Sequence, residues 1–76
     1  MDVTLYTTPN CPWCKKAKHY LGSKKVRFIE VQVNDNQQAA QEMIKKSGQM
    51  GVPVVVVGDE VVVGFDEDKL DKLLSK

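Results

Sequence analysis

The first 33 residues pass from a strand pattern to a helix pattern and back to a strand pattern. Residues 2–7 alternate polar and apolar side chains and include β-branched and aromatic types, which predicts a strand. Thr8-Pro9-Asn10 interrupts it, apolar residues then recur at helical spacing, and we expect Gly22 to end the helix. Residues 26–33 are again rich in β-forming types. A strand, a helix and a strand with short links predict a right-handed βαβ unit with parallel strands.

The rest of the chain predicts a helix, a hairpin and a last helix. Turn and cap residues at 34–36 lead into a helix over 37–47, which Gly48 ends. Its apolar face would carry Ala40, Met43, Ile44 and Ser47. The valine-rich runs 54–57 and 61–63 are joined by Gly58-Asp59-Glu60, which predicts an antiparallel hairpin.

Asp66 can cap the last helix, whose first turn is acidic and whose apolar face carries three leucines, at 70, 73 and 74. The element order is therefore βαβ-αββα. It predicts an α/β fold with a four-stranded mixed sheet, covered on its faces by three helices.

Length and charge exclude several classes of protein. A chain of 76 residues fits one domain, residues 1–76, and 42% apolar with 28% charged residues is ordinary for a globular protein. A net charge of +1 gives no reason to expect nucleic acid or a membrane as partner. The charge is uneven: residues 1–46 hold eight Lys/Arg against four Asp/Glu, and residues 47–76 hold three against six.

The expected role of the two cysteines, Cys11 and Cys14, depends on the redox state of the compartment in which the protein works. Residues 1–4 lack the basic and apolar regions of a signal peptide, and no segment is long enough to span a membrane, so we expect a cytoplasmic protein. Cytosolic thiols are kept reduced. The spacing Cys-x-x-Cys is therefore more typical of a catalytic or metal-binding pair than of a structural disulfide.

The Cys11-Pro12-Trp13-Cys14 motif has the spacing of a reversible disulfide. Residues three apart on a helix are neighbours, so one thiolate can attack a substrate and the second can release it. Cys11 lies at the helix start, where unpaired N–H groups favour an anion, so Cys11 is the predicted nucleophile. Cys14 lies one turn further into the helix and is the predicted resolving thiol. Pro12 suits the first helical position, and Trp13 is either a contact surface beside the thiolate or ordinary packing.

Zinc is the main alternative for the cysteine pair. Structural zinc sites use four ligands, and this chain offers two cysteines and one histidine, His19, on a helix face expected to be solvated. A complete site would need a second copy of the chain. We therefore predict no metal.

Three motifs occur in a fixed order: the segment Tyr6-Thr7-Thr8-Pro9-Asn10 leading into the cysteine motif, then Gly51-Val52-Pro53, then Gly64-Phe65-Asp66. With them the chain resembles the glutaredoxin family over all 76 residues. The resemblance implies a thioredoxin-like fold and a cis Val52-Pro53 bond beside Cys11. It also implies that Val52 offers its N–H and C=O to an extended substrate.

The residues for glutathione depart from the family pattern. Glutathione-using members usually carry a basic residue three positions before the first cysteine, Thr before Val-Pro, and Gly-Gly followed by an acidic pair. Here these positions hold Thr8, Gly51 and Gly64-Phe65-Asp66-Glu67. The resemblance thus implies weak use of glutathione. The chain is also similar to the redoxins that feed ribonucleotide reductase and to small bacterial glutaredoxin-like proteins of the YruB type.

These inferences predict a monomeric dithiol electron carrier that reduces protein disulfides and binds no cofactor. Its partners would be a disulfide-containing protein and either a thioredoxin-reductase-like enzyme or glutathione as co-substrate. A glutathione-dependent glutaredoxin is the first alternative. A non-catalytic metal- or cluster-binding module is the second, and Pro12 argues against a cluster because the cluster-binding members of the family have one cysteine and no proline there.

Overall fold

A computed structural model describes residues 2–74 and has the predicted element order. The strands are β1 (Val3–Thr7), β2 (Ile29–Gln32), β3 (Val54–Val57) and β4 (Glu60–Val63). The helices are α1 (Pro12–Ser23), α2 (Gln37–Ser47) and α3 (Glu67–Leu74). The sheet order is β2-β1-β3-β4, with β1 parallel to β2 and both other pairs antiparallel. The predicted mixed sheet with three helices is confirmed.

The central strands β1 and β3 are covered on both faces. Side chains alternate along a strand, so Leu5 and Val55 pack in one cluster with α1 and α3, whereas Tyr6 and Val54 pack in another with Met43 of α2. All four residues of β3 are buried. A strand covered on both faces reads as a continuous apolar run, which explains four consecutive valines.

Strand β2 is shorter than the predicted run 26–33. It lies at the sheet edge and pairs with β1 only from Ile29 to Gln32. Val26 and Phe28 precede it and pack against the cluster beneath α1 and α3. The β-forming residues at 26–28 therefore lie in a connecting segment, where they pack against the core, and they do not pair with β1.

The predicted helix end at Gly22 is wrong. Helix α1 continues through Ser23, and the left-handed residue after it is Lys25, with φ 57°. The N–H of Lys25 donates to Gly22 C=O, and the N–H of Val26 donates to Leu21 C=O. These two bonds form a Schellman motif, and Val26 packs against the core cluster that includes Leu21.

The other predicted turns hold with small changes. Helix α2 ends at Gly48, which has φ 76°, as predicted. Its buried residues are Ala39 and Met43, whereas three residues of the predicted face, Ala40, Ile44 and Ser47, are only partly buried. The hairpin is antiparallel as predicted, with Glu60 as the first residue of β4 and not part of the link.

Candidate active site

Three connecting segments meet at one edge of the sheet. The register pairs Tyr6 near the end of β1 with Val54 at the start of β3, and Val54 with Val63 at the end of β4. The segment into α1, the residues before β3 and the residues after β4 therefore lie together. They carry the three motifs noted in the sequence.

Cys11 is the N-cap residue of α1. Its backbone is extended, with φ −109° and ψ 108°, and its Sγ accepts a hydrogen bond from the N–H of Cys14 at 3.1 Å. Pro12 occupies the first helical position, as predicted, where its missing N–H leaves no orphan donor. The sulfur of this partly exposed residue thus lies at the positive end of the helix dipole, which favours a negative charge there.

Cys14 is buried, as predicted, with 2% of its surface exposed. Burial, and after it hydrogen bonding to the Cys11 side chain, raise the pKa of the Cys14 thiol to about 11. Cys14 is therefore a neutral thiol at pH 7. The two cysteines differ in exposure, since Cys11 is partly exposed and Cys14 is buried.

The Val52-Pro53 bond is cis and lies beside Cys11, as the resemblance implied. The Cys11 thiol donates to Val52 C=O at 3.9 Å. On the other side, Pro53 C=O accepts a hydrogen bond from the N–H of Gly64 at 2.8 Å. This bond ties the segment after β4 to the segment before β3.

A cavity of 280 Å³ lies in this region and is lined by Trp13, Val52, Pro53, Gly64 and Phe65. Trp13 is 53% exposed, and its ring lies 6.3 Å from the Phe65 ring between centroids. Five of the predicted site residues thus form one surface. Gly64 has φ 77°, a conformation that favours glycine, and it turns the chain so that Phe65 faces Trp13.

Asp66, the remaining residue predicted for this surface, caps a helix and does not line the cavity. Its Oδ1 accepts a hydrogen bond from the N–H of Lys69 at 3.2 Å, so Asp66 caps α3 as predicted. Asp66 is not among the residues that line the 280 Å³ cavity. Its carboxylate serves the helix first.

Gln49 is a feature that the sequence did not reveal. Its side-chain amide donates to Gly51 C=O at 2.9 Å, and its Oε1 accepts from Gly51 N–H at 2.7 Å. A Cβ at position 51 would lie 2.7 Å from that oxygen, so only glycine fits here without moving the amide. Gln49 fixes the backbone immediately before Val52.

Three polar side chains also interact between α1, β1 and β2. Thr7, which is buried, donates to Glu30 Oε2 at 3.0 Å, and Lys18 Nζ of α1 lies 3.0 Å from the same oxygen. The hydrogen bond from Lys18 holds the pKa of Glu30 below its usual value. The Glu30 charge contributes in turn, as a small cause, to the raised pKa of Cys14.

Neither a metal cluster nor a membrane helix is present within residues 2–74. No three of His, Cys, Asp and Glu in that range lie close enough to hold an ion. His19 is exposed, as predicted, and lines a separate cavity. The longest described helix, α1, has 12 residues, too few to cross a bilayer core of about 30 Å.

Comparison with known proteins agrees with this geometry. The glutaredoxin family model matches residues 3–62. This chain belongs to the glutaredoxin family. It is 45% identical over 74 residues to a glutaredoxin-like 8.6 kDa protein in the rubredoxin operon of Clostridium pasteurianum, covering 97% of this chain and 99% of that protein.

Two solved structures of glutaredoxin relatives establish the thioredoxin-like fold. The glutaredoxin of Archaeoglobus fulgidus superposes with a TM-score of 0.92 at 30% identity, covering 99% of this chain and 87% of that one. The glutaredoxin-like NrdH-redoxin of Escherichia coli, which has a thioredoxin-like activity profile, superposes with a TM-score of 0.86 at 29% identity, covering 96% and 95%. The predicted family and fold are both confirmed.

Proposed function

We propose that this chain is a dithiol electron carrier that reduces the disulfides of protein substrates through Cys11 and Cys14. The observation that carries the proposal is the pairing of a partly exposed cysteine at the N-cap of α1 with a buried cysteine one turn away. Membership of a family of thiol-disulfide oxidoreductases supports it. We also propose a cytosolic location, where the reduced thiol pool suits a carrier that reduces disulfides.

In the first step, the Cys11 thiolate attacks one sulfur of the substrate disulfide. A mixed disulfide forms, and the other substrate sulfur leaves as a thiolate that takes up a proton. The aromatic surface of Trp13 and Phe65 would hold the substrate, and the Val52 backbone would pair with its extended chain. Pro53 and Gly64 shape this surface and hold it together.

In the second step, Cys14 loses its proton and attacks Cys11 Sγ, which releases the second substrate thiol and leaves an oxidised pair. The side chain of Cys11 raises the pKa of Cys14 both by hydrogen bonding and by charge. Once Cys11 is joined to the substrate, its charge is gone and this part of the rise is removed. Before the mixed disulfide forms, the raised pKa keeps Cys14 protonated and unreactive. Once the mixed disulfide has formed, Cys14 loses its proton more easily and can resolve it.

The oxidised pair needs a reductant of two electrons and two protons. The NrdH-redoxin relative with its thioredoxin-like activity profile favours a thioredoxin-reductase-like enzyme. Thr8 and Gly51 stand where glutathione users carry a basic residue and Thr, and the Asp66 carboxylate is used as a helix cap. A glutathione-dependent glutaredoxin is the second candidate, because several relatives of this chain are named glutaredoxins.

Parallel reduction assays would test the proposal. The purified protein receives NADPH through thioredoxin reductase in one arm and through glutathione with glutathione reductase in the other, with insulin as the disulfide substrate and Cys11→Ser as the control. We expect turnover with thioredoxin reductase to exceed turnover with glutathione. Turnover only with glutathione would establish the second candidate, and turnover in neither arm by a protein with two free thiols would refute electron transfer from these reductants.

A further inference from the structure

A second cavity, of 560 Å³, is lined by residues of α1 and α3 together with Phe65, and neither cysteine lines it. Its floor is made by Tyr20 and Phe65, whose rings meet edge to face with centroids 5.8 Å apart. The sides include Lys15, Lys16 and His19 from α1 and Glu67 from α3. The cavity therefore combines an aromatic floor with a rim that is mainly cationic, and we call it the α1–α3 groove.

The α1–α3 groove shares one lining residue, Phe65, with the 280 Å³ cavity that Trp13 and Val52 also line. Phe65 lines both cavities, and its ring contacts Trp13 on one side and Tyr20 on the other. At 1.5 Å per residue, Lys15 begins the groove about 6 Å along α1 from Cys11. An extended chain covers that distance in about two residues. A substrate segment bonded to Cys11 can thus reach the groove.

The lysines of the groove differ from the other cations of this helix region. Lys18 pairs with Glu30 at 3.0 Å, and Lys24 pairs with Asp71 at 3.1 Å. Within residues 2–74, Lys15 and Lys16 have no carboxylate at ion-pair distance. Lys16 lies over the Trp13 ring, with Nζ 4.4 Å from its centroid. The end of the groove nearest the reactive sulfur thus keeps unneutralised positive charge.

We propose that the α1–α3 groove docks an acidic segment of the substrate protein, with carboxylates on Lys15 and Lys16 and an apolar side chain on Tyr20 and Phe65. The inference rests on the proposed function and names the substrate class of the same site. Charge complementarity carries it: α1 contains three lysines and no acidic residue. Glu67 lines the groove and repels carboxylates, so the acidic part of the segment belongs at the lysine end.

The two lysines also lie where a helix gives cations little support. They follow the first turn of α1, near the positive end of its dipole, whereas Lys45 and Lys46 lie in the last turn of α2, where cations are stabilised. Replacing Lys15 and Lys16 by Glu therefore does not weaken α1 through its dipole. Lys45 and Lys46 line neither the α1–α3 groove nor the cavity beside Trp13, so K45E/K46E is a control with the same change in net charge, and thermal unfolding of both double variants accounts for the helix stabilisation that α2 loses.

The test measures the rate at which the reduced protein opens synthetic peptides that contain one intramolecular disulfide. One peptide carries two Glu and a Phe starting two residues from the disulfide, a second carries two Lys in place of the Glu, and a third carries Ser in place of the Phe. A small neutral disulfide measures the intrinsic reactivity of Cys11. Each rate is taken with the wild type, with K15E/K16E and with K45E/K46E.

We expect the wild type to prefer the acidic to the basic peptide by about tenfold, as steering of charged partners allows. The preference should reverse in K15E/K16E, persist in K45E/K46E, and weaken with the Ser peptide. Equal changes in both double variants would show that net charge alone acts, and would overturn the groove. No preference together with rapid reduction of the neutral disulfide would overturn the inference alone, whereas no reduction of any disulfide would overturn the proposed function.

Discussion

Helices α1 and α2 begin in the same way but with different atoms. At the start of α1, Cys11 Sγ accepts from the N–H of Cys14 at 3.1 Å, and at the start of α2, Asn36 Oδ1 accepts from the N–H of Ala39 at 3.0 Å. Both cap residues have extended backbones. The amide can only accept and donate hydrogen bonds, whereas the sulfur can also carry a charge and form a bond. An ordinary helix cap has become a reactive group by the choice of one atom type.

The largest expected effect is that of Cys11→Ser. Serine is a strong N-cap residue, so the hydroxyl should keep the cap on α1 while removing the nucleophile. We expect turnover of a disulfide substrate to fall to background with little change in the unfolding midpoint. Reductase-coupled turnover and thermal unfolding of the same preparation check both parts.

The outcome that would contradict this prediction is substantial turnover by Cys11→Ser. In that case Cys14 would act as a nucleophile, despite its burial and a pKa of about 11. The control variant Asn36→Ser likewise places serine at a helix N-cap, that of α2, and it should keep full turnover. The pair of variants separates capping from chemistry.

The next effect in size concerns Cys14→Ser. The first step needs only Cys11, so this variant should still attack a disulfide, but nothing in the chain can release the product. We expect the protein to accumulate as a one-to-one mixed disulfide with its substrate, with multiple turnover lost. Mass spectrometry of the intact protein detects the adduct, and a free dithiol should release it. Recovery of unmodified variant without added thiol would contradict the assignment of Cys14 as the resolving thiol.

The comparison of helix ends also shows what a sequence can and cannot predict. Both Gly22 and Gly48 were predicted to end helices, and only Gly48 does. After α1, the cap is completed by Val26, the first apolar residue beyond the helix, which packs against the core cluster that includes Leu21. The left-handed position therefore falls on Lys25, although a glycine lies nearby. The tertiary contact decides here, and local propensity does not.

In the candidate site, too, features set by neighbouring residues could be predicted, and features set by tertiary contacts could not. The cysteine helix could be predicted from neighbouring residues, because strand pattern, Pro12 and the spacing of Cys11 and Cys14 are local. The Thr7–Glu30 bond joins residues 23 positions apart and depends on the register of β1 with β2. The Gln49 amide on Gly51 depends on side-chain rotamers in an irregular segment. Neither leaves a periodic or motif signal in the sequence.

A smaller effect should appear in the dependence of stability on pH. Burial raises the pKa of the Cys14 thiol to about 11 from an ordinary 9.0, so folding favours the protonated thiol. Its contribution to stability is fully present below pH 9 and is lost as the pH rises towards 11. We expect the free energy of unfolding of the reduced wild type to fall across this range more steeply than that of Cys14→Ala. Urea unfolding at a series of pH values measures both slopes.

The matched comparison removes the other groups that titrate in this range. The pKa of Tyr20 is raised by burial, and that of Lys24 is raised by its hydrogen bond to Asp71, so both add to the fall in stability. They are present in both proteins and cancel in the difference. Equal slopes for wild type and Cys14→Ala would mean that Cys14 titrates in the folded protein as it does in the unfolded chain.

The smallest effect should follow from Asn36→Ala, which removes the cap of α2 and leaves the reactive cap of α1 intact. Loss of an N-cap side chain costs about 1 kcal/mol, or about 4–8 °C in the midpoint for a domain of this size. Turnover at a temperature well below the midpoint should be unchanged, because α2 packs on the sheet face opposite to α1. Asn36→Asp, which keeps an acceptor, should unfold like the wild type. A drop in turnover by Asn36→Ala without a drop in stability would mean that α2 contributes to the reaction, and the two caps would then differ in more than their atoms.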